Sequence, residues 1–208
     1  LGSAWTQLSA SRYGWSDSAP LSMQRAAELA RKALELDEQC ADAHALLGYY
    51  HLLARAHDQA IAAGERSVAL NPNHADNVAN LGCTYAVSGR LGEAITAMRR
   101  AVRLCPTYPA WYLNILGYAH YQSGEHGEAE RVLRLALQRE PADTQCRVLL
   151  AAVHHACGRA EDAREEAREA RRHEPGFRLK QLEDRMIIVK DRETVARLLA
   201  MLRGLGLD

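Results

Sequence analysis

The sequence predicts an all-α solenoid of about five helix pairs, followed by C-terminal capping helices. Two observations predict this fold class. Small residues and prolines recur with a period of 34 or 35 residues, and each period is rich in helix-forming residues with apolar side chains at helical spacing. A regular period of this length is typical of architectures in which each unit packs only against its neighbours.

Three sets of residues keep the repeat in register along the chain. Within each set the members are 34, 35 and 34 residues apart. The sets are Gly48, Gly82, Gly117 and Ala151; Ala60, Ala94, Ala129 and Ala163; and Pro72, Pro106, Pro141 and Pro175. Because three independent sets share the same intervals, we interpret residues 41–175 as four repeats, with a one-residue insertion near Pro109.

Each repeat is predicted to form two antiparallel helices. In the second repeat, Ser88–Gly89 interrupts the helical pattern and marks the turn between them. The second helix stops before Pro106, because proline lacks the backbone donor and disfavours helix at the preceding residue. We expect Gly82 and Ala94 to let the two helices approach closely, since neither has a bulky side chain.

The two ends are predicted to be atypical units that cap the solenoid. Residues 1–38 are interpreted as a degenerate N-terminal repeat, whose second helix spans about 21–36 and whose first helix lies near Trp5. Residues 177–208 are predicted to form capping helices that cover the last repeat. We treat residues 1–208 as a single domain.

The last of the capping helices has clear boundary signals. Asp191 is expected to cap its start, and Gly204 to end it. Val195, Leu198, Leu199 and Leu202 form its apolar stripe at helical spacing.

Composition and charge exclude several classes of function. Twenty-six basic side chains balance 26 acidic ones, which argues against bulk binding of nucleic acid or of an anionic membrane. The longest apolar run, Val148 to Val153, is too short to span a bilayer. Five scattered cysteines predict free thiols in a reducing compartment, so we expect a cytoplasmic protein. The chain starts with Leu1 rather than Met, so we expect it to be part of a longer protein. It has no charged and apolar leader at its start, so we expect no export.

No local motif in the sequence predicts catalysis or a metal site. A Gly-rich phosphate loop after a strand, GxSxG, CxxC and HExxH are all absent. The best metal candidate is His154–His155 with Cys146 and Cys157, but neighbouring residues on a helix point about 100° apart, so one ion does not suit both histidines. His51 and His120 share a repeat position with His154, which favours a packing role. We therefore predict a protein that is not an enzyme and needs no cofactor.

The repeat resembles the tetratricopeptide repeat, a helix–turn–helix unit of 34 residues. Leu81, Gly82, Tyr85, Ala94, Met98, Ala101 and Pro106 occupy the positions of the family pattern. The resemblance covers residues 41–175. It implies a right-handed solenoid whose first helices line a concave groove, and a non-catalytic scaffold that binds a protein or peptide partner there.

Transfer of the family's groove positions onto this sequence gives a candidate partner-binding set. Its members are Tyr49, Asn80, Cys83, Trp111, Asn114, Tyr118, Tyr121 and Gln145. The aromatic residues offer large contact areas of the kind found in binding hot spots. Each ring has a second interpretation, packing beneath the neighbouring repeat, and the sequence leaves both open. It also leaves open whether the groove is free or occupied by the N-terminal segment near Trp5 and Trp15.

One class of ligand is excluded by the same comparison. Family members that bind chaperone tails hold a carboxylate with lysine, arginine and asparagine side chains. The matching positions here are Ala45, Tyr49, Asn80, Trp111 and Ile115. Only Asn80 matches the residue type that these family members use. A carboxylate clamp needs cationic donors, and none of the five positions has one. We therefore expect no binding of heat-shock chaperone tails.

Three stretches are similar to a narrower group, bacterial proteins that carry such repeats after a class III adenylate or guanylate cyclase domain. They are residues 42–72, 108–133 and 193–208. This resemblance implies a regulatory region of a larger bacterial signalling protein. The alternative is a self-association module of such a cyclase, in which one array packs on another through its groove or its capping helices.

Overall fold

The computed structural model describes residues 19–208, and within that range every regular element is helical. The α-helices are α1 (Ala19–Leu36), α2 (Ala41–Leu53), α3 (His57–Leu70), α4 (Ala75–Val87), α5 (Leu91–Leu104), α6 (Ala110–Gln122), α7 (His126–Arg139), α8 (Thr144–Ala156), α9 (Ala160–His173), α10 (Leu179–Arg185) and α11 (Arg192–Gly204). A 3₁₀ turn, Met186–Ile188, follows α10. The predicted all-α solenoid is confirmed.

Helices α2 to α9 form four antiparallel pairs, each packed against the next through its second helix and the following first helix. The segments between successive pairs are residues 71–74, 105–109 and 140–143. The middle segment is one residue longer than the other two, so the insertion lies next to Pro109, as its spacing predicts. Helix α1 covers the second helix predicted for the N-terminal repeat, whereas Trp5 and Trp15 lie outside the described residues.

The turn inside each pair needs one residue with a left-handed backbone. Gly89, Gly124 and Gly158 supply it at φ +86°, +75° and +74°. In the first pair the same place is taken by Arg55, at φ 60°. Only glycine adopts this conformation without a steric cost, so the first turn is strained where the other three are not.

Close approach within the pairs depends on small residues, as predicted. A Cβ atom added to Gly82 would lie 2.6 Å from Met98 Sδ, and one added to Gly117 would lie 2.7 Å from Leu133 Cγ. Ala94 is completely buried. The large side chains of the partner helix therefore fill the space that these small residues leave, which gives the close packing typical of protein interiors.

The recurring histidines belong to this packing. His120 and His154 are buried, and the His120 ring donates from Nδ1 to Glu125 Oε2 over 2.6 Å. His155 is exposed, so the two adjacent histidines point in different directions. In the described part of the chain, no three His, Cys, Asp or Glu side chains are placed to hold a metal ion. No helix between residues 19 and 208 is long and apolar enough to cross a membrane.

The C-terminal segment extends much further than the prediction placed it. Phe177 and Leu179 do pack with Ala167 and Ala170 of α9 and cover the last repeat. The chain then continues through α10, and the turn Met186–Ile188 contacts α2 of the first full repeat. Helix α11 runs back and packs on α8. The prediction that these helices cover the last repeat was therefore incomplete, because they also span the row of first helices.

We call residues 179–208 the C-terminal hairpin. Its two ends meet where the Leu179 N–H donates to the carbonyl oxygen of Asp208 over 3.0 Å. Asp191 caps α11 as predicted, since its Oδ1 accepts the backbone N–H groups of Glu193 and Thr194 at 3.0 and 3.1 Å. Gly204 is the last residue of α11, but the left-handed backbone lies at Gly206, at φ +89°.

Candidate partner-binding groove

The first helices of the four pairs, α2, α4, α6 and α8, lie side by side and form one wall. The C-terminal hairpin packs on this wall. A single hydrophobic cluster joins the hairpin to side chains from all four helices, namely Leu52, Val87, Tyr118, Tyr121, Val148 and Ala152. The hairpin therefore covers part of the predicted groove.

The hairpin presents an apolar face to the wall. Met186, Val189, Val195, Leu198, Leu199 and Leu202 are each at most 9% exposed. Along α11 the buried residues stand at i, i+3, i+4 and i+7, which is the stripe of an amphipathic helix. Ala196, Arg197, Ala200 and Arg203 lie on its other face and are exposed.

One backbone hydrogen bond fixes the middle of the hairpin. The Lys190 N–H donates to the carbonyl oxygen of Val87 over 2.8 Å, at the end of α4. His57 is buried close by, and its Nδ1 lies 2.9 Å from Ser88 Oγ. Burial lowers the pKa of His57, and the positive charges of Lys190 and Arg55 lower it further. The imidazole is thus neutral at pH 7 beside the bend of the hairpin.

Tyr118 and Tyr121 contact both the array and the hairpin. Burial raises the pKa of both hydroxyls, and Arg197 of the hairpin partly opposes this for Tyr121. Cys83 and Asp191 lie close enough to Tyr118 to raise its pKa further. These two rings therefore pack within the array and also lie beneath the hairpin, a contact that the sequence did not predict.

The other predicted groove residues lie outside this cluster. The Trp111 ring packs edge-on against Tyr112 with centroids 4.5 Å apart, and Trp111 is half-buried. Asn114 is half-buried, whereas Gln145 is exposed. These residues therefore lie on the first helices of the third and fourth repeats. They do not belong to the hydrophobic cluster that contains the hairpin.

Tyr49 and Asn80 lie at the junction of the first two full repeats. Both are half-buried and line one narrow cleft. The cleft is bounded by Ala45, Gly48, Gly64, Asn77, Leu81 and Thr84. The predicted set therefore falls into two groups, one beneath the hairpin and one along the remainder of the wall.

Two acidic residues at the start of the first helices bind the next repeat. Asp42 Oδ1 accepts from Asn77 Nδ2 over 3.3 Å, and Asp76 Oδ1 accepts from the Tyr112 hydroxyl over 2.6 Å. Burial and this bond to Asp76 raise the pKa of Tyr112. These carboxylates therefore link successive repeats.

Sequence reasoning missed the hairpin as the occupant of the groove, although one signal was present. Leu52, Val148 and Ala152 are apolar at repeat positions that are predicted to line the groove. A row of such residues is costly to leave uncovered. Together with the apolar stripe of α11, it indicates that some segment covers this wall.

Three family models match the sequence, and each describes a tetratricopeptide repeat. They cover residues 23–75, 75–108 and 120–185, which together make up well over half of the chain. The chain belongs to the tetratricopeptide repeat family. The fold class, a right-handed α-solenoid of such repeats, agrees with this assignment.

Solved structures of other tetratricopeptide repeat proteins share this fold. TTC0263, a thermophilic protein of Thermus thermophilus, is 22% identical with a TM-score of 0.67, over 89% of this chain and 96% of that one. A MamA structure is 21% identical with a TM-score of 0.65, over 74% and 90% of the two chains. YrrB, described as having an unusual peptide-binding site, is 20% identical with a TM-score of 0.63, over 77% and 82%. No curated protein matches the sequence.

Proposed function

We propose that this chain is a non-catalytic scaffold that binds a segment of a partner protein on the wall of its first helices. The observation that carries the proposal is the hydrophobic cluster between the C-terminal hairpin and all four first helices. A wall that binds a helix of its own chain has the shape and apolar surface to bind a helix of another protein. The peptide-binding site described for YrrB supports the same use of this fold.

The chemistry of the wall also favours binding over catalysis. The groove residues are mainly aromatic, amide and aliphatic. The raised pKa values of Tyr118 and Tyr121 keep both hydroxyls protonated at neutral pH. Neither tyrosine is thereby activated as a base or nucleophile. The aromatic surface instead suits contact with a protein segment.

Photo-cross-linking from the wall tests this proposal. A photoreactive residue at Asn114 or Gln145, in the full chain and in the cells that make it, is expected to give a covalent adduct with a discrete partner. The same residue at Arg131, on the exposed side of a second helix, is the matched control. Adducts of equal yield from both sites, or from Arg131 alone, contradict binding at the wall.

We further propose that the array is the regulatory region of a bacterial class III nucleotidyl cyclase. Support comes from the similarity of residues 42–72, 108–133 and 193–208 to such proteins. Five free thiols, Cys40, Cys83, Cys105, Cys146 and Cys157, suit the reducing cytoplasm in which such a protein works. Reading the coding frame upstream of Leu1 tests the proposal, because a different upstream domain or none contradicts it.

The second candidate is self-association. A hairpin that packs on its own wall makes the same contacts when it packs on the wall of a second copy, so exchange of hairpins is a route to a dimer. Sedimentation over a range of concentrations distinguishes the candidates. A strict monomer at all concentrations contradicts self-association and leaves the scaffold proposal standing.

A further inference from the structure

The C-terminal hairpin shares one hydrophobic cluster with the repeats, and a second cluster holds the repeats together without it. The cluster that holds the second, third and fourth repeats together includes Val78, Met98, Leu116, Leu133 and Leu150, and no hairpin residue belongs to it. The hairpin reaches the wall through a second cluster and through the hydrogen bond from Lys190 to Val87. The repeats therefore have a core that does not depend on hairpin side chains, beside the one that they share with the hairpin.

The first part of the hairpin, α10 and the turn after it, is more exposed than α11. In α10, which has seven residues, Lys180, Gln181, Asp184 and Arg185 are exposed. In the turn that follows, Ile187 is 51% exposed, although it is a large apolar residue. Segments with few buried apolar contacts open at a lower free energy than the core of a protein. Local opening of the hairpin is therefore expected to begin in this exposed first part, whereas α11 is held by its buried stripe.

We propose that residues 186–208 are an intramolecular ligand, and that the partner of the wall is an amphipathic helix of the same chemistry that replaces it. The proposal rests on the scaffold function proposed above and specifies its ligand. The partner helix carries aliphatic residues at i, i+3, i+4 and i+7, as Val195, Leu198, Leu199 and Leu202 do in α11. Partner binding is inhibited while the hairpin is closed.

The tether explains why the closed form dominates in the free protein. A ligand joined to its site by a short linker acts at an effective concentration in the millimolar range. A separate helix with the same contacts competes poorly at lower concentrations. Any change that weakens the hairpin's hold on the wall therefore increases the affinity for the partner without altering the wall itself.

The test uses a labelled peptide of residues 189–208 and three forms of the full chain. The first is the unaltered chain. The second carries Leu198→Asp and Leu202→Asp, which place charges on the buried stripe. The third carries Ala196→Asp and Ala200→Asp, which add the same charges to the exposed face of α11. A peptide with Leu198→Asp and Leu202→Asp controls for specific recognition of the stripe.

We expect the Leu-to-Asp chain to bind the peptide on the order of 100-fold more tightly than the other two forms. The altered peptide is expected not to bind. Equal and weak binding by all three forms overturns the proposal. Unfolding of the array in the Leu-to-Asp chain also overturns it, because the hairpin would then be part of one indivisible core.

Hydrogen exchange on the unaltered chain provides a second, independent measurement. We expect amides of α11 to exchange through a local opening that leaves α4 and α6 protected. Exchange of α11 and the array in one common event overturns the proposal. If photo-cross-linking at Asn114 finds a partner while α11 stays protected, the scaffold function stands and displacement of the hairpin is wrong.

Discussion

The N–H of Lys190 donates to the carbonyl oxygen of Val87, the last residue of α4, and so joins the C-terminal hairpin to the second full repeat. The last carbonyls of a helix have no partner within the helix. Here the hairpin supplies one, at the place where its direction reverses between the 3₁₀ turn and α11. This contact gives the hairpin a fixed register on the wall.

Removal of this donor is expected to loosen the hairpin. Lys190→Pro lacks the N–H, and Val189 already has the extended backbone that a following proline requires, at φ −70° and ψ 128°. The lost bond is expected to raise the opening equilibrium by about fivefold, corresponding to ~1 kcal/mol. Hydrogen exchange of Val195 to Leu202 measures the change. Lys190→Ala keeps the N–H, and equal exchange in the two variants would show that the bond has no role.

Relief of the strained turn in the first pair is expected to stabilise the array. Arg55 has φ 60° where Gly89, Gly124 and Gly158 stand in the other pairs. Arg55→Gly is expected to raise the free energy of unfolding by ~1 kcal/mol relative to Arg55→Ala. Both variants lose the same charge, so denaturant unfolding of the pair isolates the backbone effect. Equal stabilities would contradict a steric cost at this turn.

A methyl group in the close contact of the third pair is expected to destabilise the protein. Gly117→Ala places Cβ 2.7 Å from Leu133 Cγ, and overpacking of this kind costs about 1–3 kcal/mol. Gly127→Ala is the control, because nothing lies within 4 Å of its added Cβ. Thermal and denaturant unfolding compare the two. If the Gly117→Ala protein is as stable as the control, the two helices of the pair move apart without a cost in the free energy of unfolding, which contradicts the prediction.

Much of this architecture follows from the sequence alone, for local reasons. The glycines, alanines and prolines that recur every 34 or 35 residues determine the helix pairs and their turns. Asp191 has the side chain of a helix cap in any context. The path of the hairpin does not follow from the sequence. The apolar stripe of α11 shows that this face must be buried, but it does not show which surface buries it. Likewise, Asp42 with Asn77 and Asp76 with Tyr112 are pairs that only the stacking of successive repeats brings together.

Acid is expected to destabilise the protein below the ordinary histidine pKa of 6.5. Burial lowers the pKa of His51, His57 and His154, so the unfolded chain binds more protons than the folded one as the pH falls. The contribution of these histidines to the free energy of unfolding is therefore fully present above pH 6.5. It is lost as the pH falls through their lowered pKa values. Denaturant unfolding between about pH 7.5 and pH 5 measures this slope.

A substitution at His154 tests the source of that slope. His154→Phe removes a buried group that must bind a proton on unfolding, so the slope is expected to decrease. His155→Phe makes the same substitution at the exposed neighbour and is the matched control. Identical slopes in the two variants would assign the acid sensitivity to other groups.

Nuclear Overhauser effects from the Lys190 amide proton, measured on the isotope-labelled full chain, test most directly whether the C-terminal hairpin covers the wall of first helices. If the hairpin covers the wall, the spectrum shows cross-peaks to protons of Val87 and Ser88, together with slow exchange of the Lys190 amide. Absence of these cross-peaks, with the Lys190 amide exchanging at the rate of an unprotected chain, would contradict this arrangement of the hairpin.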